Sequence, residues 1–287
     1  MAEAEMLPVW LIEAGVYGRE ADPLLAEIRR QGMAADLVPH QTLRKREPIT
    51  VAGRALSDED CVIGYGTFPF ARQIQLHRRW QPGAWATSEN LDCTTYFAHF
   101  GKFLFNQHYT IMPGVEAIRQ RDWLFDVLGK DDEVFARPTG CNKLFTGRCI
   151  FKDDFVGALA STRFDPATLV VIARPREIDR EWRLIVSGDK VIAGSQYSFQ
   201  GSKCIEPGYP NQVQQFVEEM LAEVHWRPDP IFMLDICEAE QRFWLVEFNG
   251  FSCSWLYACD LETVTAEASR LAIECWKNEP MRSVEIP

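Results

Sequence analysis

The chain has no CxxC pair, no HExxH, no GxSxG elbow and no GxxxxGK[ST] phosphate loop. Zinc ribbons, zincin-type hydrolysis, serine-nucleophile chemistry and P-loop hydrolysis are thereby excluded. The five histidines, at 40, 77, 99, 108 and 225, show no ligand spacing. Positive charge is scarce as well. With 30 Lys and Arg against 41 Asp and Glu, the net charge of −11 argues against a surface that coats nucleic acid, so any anion has to be captured in a local pocket. No apolar run approaches the roughly 20 residues that span a bilayer, and the opening MAEAEMLPVWLIEAG lacks the basic residues of a signal peptide. No membrane partner is expected. The nine cysteines are an odd number and several lie in apolar runs, a pattern of reduced thiols used as small hydrophobes in a cytoplasmic protein.

What is present is a large core. At 287 residues, 47% of them apolar and 12% aromatic, the chain can bury two domains or one large α/β unit. VWLIEAGVYG (9–18) reads as a buried strand ending in a glycine turn, followed by a helix from about Asp22 to Arg30 with Pro23 in its first turn. AADLVPH (34–40) supplies the next strand, and CVIGYGTFPFARQI (61–74) repeats strand, glycine turn and helix. Residues 1–105 therefore predict a small α/β domain with a parallel sheet.

From residue 106 onward the pattern changes. After the helical run VEAIRQRDWLFDVLG come short strands at VFARP (134–138) and TLVVIARP (168–175), then a hairpin over 181–199 turning at Gly188-Asp189. QVQQFVEEMLAEVHW has helical spacing, with Phe216, Met220 and Val224 on one face. A second hairpin, IFMLDICEAEQRFWLVEFNG (231–250), turns near Ala239 to Gln241. Antiparallel strands under helices predict an α+β layer packing for residues 106–287.

Acids interrupt that last hairpin. Period-two alternation puts Phe243, Leu245, Glu247 and Asn249 on one face, and Asp235 on the apolar face of the partner strand. A three-residue turn sets Asp235 opposite Leu245, one diagonal step from Glu247; a two-residue turn without a bulge breaks this arrangement. Two carboxylates and an amide on an apolar hairpin form a cluster of hard oxygen donors suited to Mg²⁺. Singly, each is as well explained by an arginine partner or a turn cap. Cations lie upstream: FARPTGCNKLFTG (135–147) presents Arg137 and Lys143 around Pro138 and Gly140, and EWR places Glu181 and Arg183 on one strand face. Such groups can hold phosphate oxygens, or serve as exposed cations and a cross-strand pair.

In this order, FARPTGCNK, VVIARPREI, EWR and Asp235 followed by EFN resemble the ATP-grasp superfamily over about residues 106–265. The α/β unit before them is similar to the pre-ATP-grasp domain. More narrowly, RPxxxxKxFTG, IxxEWR, SQY (195–197) and NGFSCSWLYACD (249–260) look like the phage and bacterial clade named for two arginines and a lysine. The resemblance implies Mg²⁺ on Asp235, Glu247 and Asn249, and ATP phosphates on Arg137, Lys143 and Arg183. It also implies adenine along Ala173 and Arg174, with Glu177 or Glu181 near the adenine amino group or the ribose. Arg183 and Lys143 are the implied catalytic cations. Arg137 replaces the superfamily's usual first lysine, and the glycine-rich loop is reduced to TGCNKLFTG, which bears on phosphoryl transfer more than on ATP binding.

The implied reaction is an ATP-dependent ligation. A small-molecule or peptide carboxylate is phosphorylated to an acyl phosphate, and an amine then displaces the phosphate; no side-chain nucleophile is needed. A kinase-like phosphotransferase and an ATP-binding regulatory module without turnover stay open, as does the oligomeric state.

Overall fold

A computed structural model describes residues 6–18, 21–141, 144–160 and 165–278. The first sheet holds β1 (Val9–Glu13), β2 (Ala35–Val38), β5 (Cys61–Tyr65) and β6 (Gln81–Gly83), all parallel and ordered β2-β1-β5-β6. Every residue of β1 and β5 is buried, as a parallel sheet covered on both faces requires. On one face Trp10 and Ile12 pack against Leu24 and Ile28 of α1 (Ala21–Arg30). On the other, Val9 and Leu11 meet Leu43 of α2 (His40–Arg44), Val51 of the β3 (Thr50–Val51) and β4 (Arg54–Ala55) ribbon, and Phe70 and Ile74 of α3 (Phe68–His77). Thr67 caps α3 by accepting a hydrogen bond from Phe70 N at 3.3 Å.

An aromatic helix, α4 (Cys93–Phe100), leads to the second sheet. This sheet is antiparallel, ordered β7-β10-β8-β9, from β7 (Tyr109–Pro113), β8 (Glu133–Pro138), β9 (Arg148–Phe151) and β10 (Leu169–Ala173). α5 (Gly114–Arg119), α6 (Arg121–Leu128) and α7 (Phe155–Leu159) cover one face through Ala117, Leu124, Phe125 and Phe155. The single helix expected over 115–129 is thus two, interrupted at Gln120.

The third sheet runs β13-β12-β11-β14-β15, every neighbouring pair antiparallel. Its strands are β11 (Arg180–Ser187), β12 (Lys190–Phe199), β13 (Ser202–Pro207), β14 (Ile231–Ala239) and β15 (Arg242–Gly250). The two expected hairpins are β11–β12 and β14–β15. One face, through Trp182, Leu184, Phe232, Leu234, Leu245 and Phe248, packs on α4 and on α8 (Asn211–Glu223). The buried stripe of α8 is Val213, Val217, Met220 and Leu221 rather than the Phe216, Met220 and Val224 row expected from spacing; Phe216 lies at the margin and Val224 beyond the last turn. The opposite face meets the first sheet through Ile185 and Met233, and α9 (Leu261–Asn278) closes the seam with Val264, Ala268 and Ala272, Trp10 donating to Ser269 Oγ at 3.1 Å. The expected fold class, a parallel α/β unit followed by antiparallel sheets under helices, is the one observed. Among the described residues no helix is long and apolar enough to cross a membrane.

Gly250 ends β15 where the sheets meet. A Cβ there would come within 2.9 Å of the Ala86 backbone Cα, which cannot move aside as a side-chain tip could. Gly250→Ala is therefore expected to destabilise the protein by about 1–3 kcal/mol, read as a lower urea midpoint with an unchanged slope.

Candidate nucleotide and metal site

The site grows out of the β14–β15 hairpin. Its turn holds two residues, not three: Ala239 pairs with Arg242, and Glu240 and Gln241 take φ of 54° and 60°, the left-handed pair of a type I′ turn. A register shift follows between Asp235 and Ile236, so that Ile236 faces Leu245 while Asp235 faces Glu247 directly. Val246 is the extra residue. This bulge also changes which residues share a face. Phe243 and Leu245 point into the helix-covered core, whereas Glu247 and Asn249 point the other way, alongside Asp235. The single apolar-to-polar row expected from alternation is in fact two half-rows joined at the bulge.

Two arginines meet these acids. Arg183 on β11 is level with Asp235 and grips both carboxylate oxygens, Nε to Oδ1 at 2.8 Å and Nη2 to Oδ2 at 2.7 Å. Both residues are buried, at 5% and 2% exposure. Arg137 on β8 reaches from the second sheet to Glu247 Oε2 at 2.8 Å. Asn249 Nδ2 joins the two pairs, 3.2 Å from Asp235 Oδ2 and 2.9 Å from Glu247 Oε1. Burial opposes the charge on Arg137, but Tyr96, Glu247 and Cys93 outweigh it and hold its pKa above the ordinary arginine value. Arg183 is likewise held well above that value, burial being overcome chiefly by Asp235.

The surrounding cavity, about 340 Å³, lies between the second and third sheets and is lined by Phe105, Phe135, Ile178 and Val246 on its apolar side and by Arg137, Glu181, Tyr197 and Glu247 on its polar side. An apolar lining on one side and charged groups on the other suit a base and phosphates respectively. Gly147, also in the lining, brings the FTG segment against β8, since a Cβ there would sit 2.9 Å from Phe135 and 3.2 Å from Arg137. Glu181 accepts from Tyr197 OH at 2.9 Å. Burial raises its pKa, the Tyr197 and Ser198 hydrogen bonds work against this, and the Asp235 and Glu247 charges add to it. A raised carboxyl favours the folded state only once protonated. Where it is ionised, Glu181 costs stability, and this cost fades as pH falls through its folded pKa. Glu181→Gln is accordingly expected to raise the urea midpoint at pH 7.5, with the gain shrinking on acidification towards pH 4.

Arg137, Glu181, Arg183, Asp235, Glu247 and Asn249 are thus gathered in one place. Ala173 is buried at the end of β10, paired with Phe135 and Tyr109. Arg174 and Glu177 open instead into a neighbouring cavity of about 710 Å³ with Arg176 and Trp244. Lys143 lies outside the described residues. Three aromatic residues without an expected role also belong to the neighbourhood: Tyr96, fully buried beside Arg137, and Tyr197 and Tyr257, which flank Arg183. SQY and WLY stood out as motifs, but only the bulge at Tyr197, between the Glu181 and Trp182 pairings, turns that ring towards Arg183.

Among the described residues no group of three His, Cys, Asp or Glu could hold a metal, but the Asn249 amide stands beside Asp235 and Glu247 as a candidate third donor. Its nitrogen touches an oxygen of each carboxylate, and rotating the amide brings its oxygen to the same position. Three hard oxygens then converge, a donor set that fits Mg²⁺ with water and phosphate completing the shell.

Comparison with known proteins places the fold. Residues 118–266 match a family described as an ATP-grasp domain, the second family of the clade named for two arginines and a lysine. The ATP-grasp ligase PsnB in complex with a minimal precursor superposes with a TM-score of 0.59 at 13% identity, covering 94% of this chain and 100% of that one. D-cycloserine synthetase DcsG gives 0.61 at 12%, covering 92% and 99%. D-alanine–D-alanine ligase from Bacillus anthracis gives 0.56 at 11%, covering 94% and 97%. No curated protein matches in sequence.

Proposed function

Since the chain belongs to the ATP-grasp family, in the clade of two arginines and a lysine, we propose that it is an ATP- and Mg²⁺-dependent ligase that joins a carboxylate to an amine and releases ADP and phosphate. The observation that carries this reading is the pair of arginine–carboxylate bridges, Arg137–Glu247 and Arg183–Asp235, linked through Asn249 at the polar end of an apolar cavity. Asp235, Glu247 and Asn249 would hold Mg²⁺, which when bound supplies charge neutralisation on the phosphates. Arg137 and Arg183 are then free to turn to phosphate oxygens, which guanidinium forks match. Ala173, the adjoining Arg174 to Glu177 segment and Ile178 would border the adenine, and Lys143 would reach the phosphates. In the division of labour proposed here, residues 1–105 act as the pre-ATP-grasp domain and 106–287 as the catalytic one.

The chemistry asks these residues to position and to neutralise. A carboxylate oxygen attacks the γ-phosphorus and ADP departs with the electrons of the broken P–O bond; the amine lone pair then attacks the acyl carbon, the C–O bond breaks and phosphate leaves. Arg183, buried and permanently charged, is placed to bind negative charge on the transferred group without solvent reorganisation. Structures of PsnB hold precursor peptides, and one of these also holds Mg and ADP, which supports a peptide or small-molecule carboxylate as substrate.

Coupled ADP and phosphate release with MgATP, with and without a mixture of amino acids and short peptides, tests the reading. Release that depends on both a carboxylate and an amine is expected. ADP release that needs a carboxylate or hydroxyl compound alone would make the protein a kinase, and MgATP binding without turnover on any of them a regulatory module.

A further inference from the structure

Apart from Asn249 and Tyr197, the SQY (195–197) and NGFSCSWLYACD (249–260) segments have no assigned part in holding the nucleotide, yet the fold brings them together. Ser195 Oγ accepts a hydrogen bond from Ala258 N at 3.2 Å and donates to the Glu206 carbonyl at 2.9 Å, tying β12 to the turn after β15. The rings of Tyr197 and Tyr257 stack 5.2 Å apart at 14°, and the Arg183 guanidinium lies 5.8 and 5.2 Å from their centroids. Tyr257 takes a φ of 49°, a left-handed backbone that a bulky residue adopts only when its surroundings impose it. Trp255 is braced edge-on by Tyr17 at 5.0 Å and still leaves 39% of its surface exposed.

These rings line a second pocket of about 390 Å³, completed by Glu181, Ser198 and Lys203. Glu181 and Tyr197 line both this pocket and the nucleotide-side cavity, so whatever occupies the second pocket abuts the phosphate end of the first. Tyr197 and Tyr257 already face the Arg183 guanidinium, so an alkylammonium is drawn chiefly to the part-exposed Trp255 ring, through its quadrupole, and to the opposite charge of Glu181. Lys203 has no ion pair among the described residues and offers a countercharge for a carboxylate in the same ligand.

We propose that this pocket binds the amine-bearing co-substrate as a zwitterion, a free amino acid or dipeptide whose ammonium sits among Tyr197, Trp255 and Tyr257 against Glu181 while its carboxylate faces Lys203, the ammonium giving up one proton to water before its lone pair attacks the acyl phosphate. The proposal rests on the ligase reading and names the second substrate of that same site. It also gives Glu181 a partner other than the nucleotide.

Saturation-transfer NMR on the wild-type protein tests it, using the standard L-amino acids and the glycyl dipeptides, each beside its N-acetyl form. At least one free amine is expected to receive saturation, with its N-acetyl form binding about tenfold more weakly or worse. Trp255→Ala and Lys203→Glu, both at the exposed side of the pocket, should each weaken that amine by about tenfold, equivalent to about 1.4 kcal/mol, without changing the affinity for the ATP analogue AMP-PNP with Mg²⁺. The proposal is overturned if no free amine binds, if the N-acetyl forms bind equally, or if both variants bind the amine as the wild type does. It is also overturned if Glu181→Gln shifts the affinity for AMP-PNP and leaves the amine unchanged. Failure of the ligase reading registers separately, as absence of AMP-PNP binding to the wild type.

Discussion

Asp235→Ala is expected to lower the unfolding free energy by about 3–5 kcal/mol, because it strands the Arg183 guanidinium, 5% exposed, without the carboxylate that both its nitrogens grip. The loss comes from the abandoned charge more than from the missing bond. The double variant Arg183→Met, Asp235→Leu should therefore recover most of the loss, since an apolar pair of similar volume leaves nothing charged behind. Urea unfolding of the three proteins measures this directly. A single variant as stable as the wild type would mean that water reaches Arg183. The double variant, however stable, should be inactive, which separates what the pair does for the fold from what it does for ligation.

Glu247→Gln should leave stability nearly intact and abolish turnover. Neither partner is fully enclosed, Arg137 and Glu247 keeping 14% and 16% of their side chains exposed, and glutamine still accepts a hydrogen bond from either neighbour. What is lost is one of only two carboxylates proposed to hold Mg²⁺. A fall in MgATP-dependent ADP release of at least about 10²-fold is expected, comparable with removal of one preorganised electrostatic partner from a transition state. Raising the Mg²⁺ concentration should restore part of the activity if the defect lies in metal affinity. Wild-type rates in the variant would reduce Glu247 to a structural partner of Arg137.

The features legible in the sequence were those governed by local rules. Continuous apolar runs marked β1 and β5 as buried parallel strands, alternation marked the hairpins, and acids interrupting them marked Asp235 and Glu247. What escaped were features decided at longer range. The bulge at Val246 leaves no compositional trace; it is known only from the pairing of Asp235 with Glu247. The type I′ turn used Glu240 and Gln241 at positive φ, where asparagine or glycine would have announced it. α4 has no counterpart among the sequence expectations, because its ring-rich face packs on Phe248 of a sheet far along the chain. The Arg137–Glu247 bridge spans 110 residues, a separation over which one sequence offers no sign of pairing.

During biosynthesis the parallel sheet leaves the ribosome before the two antiparallel ones, but one of its faces is completed by Val264, Ala268 and Ala272 of α9, made after all three sheets. Until those residues emerge, Trp10 has no Ser269 to bond and Ile63 no helix across it. With only α1 on that side, the nascent sheet keeps an incompletely covered apolar face until α9 is made, dependent on the speed of elongation or on a chaperone. Once the helix docks, the parallel sheet and α9 share one core and should melt in a single transition.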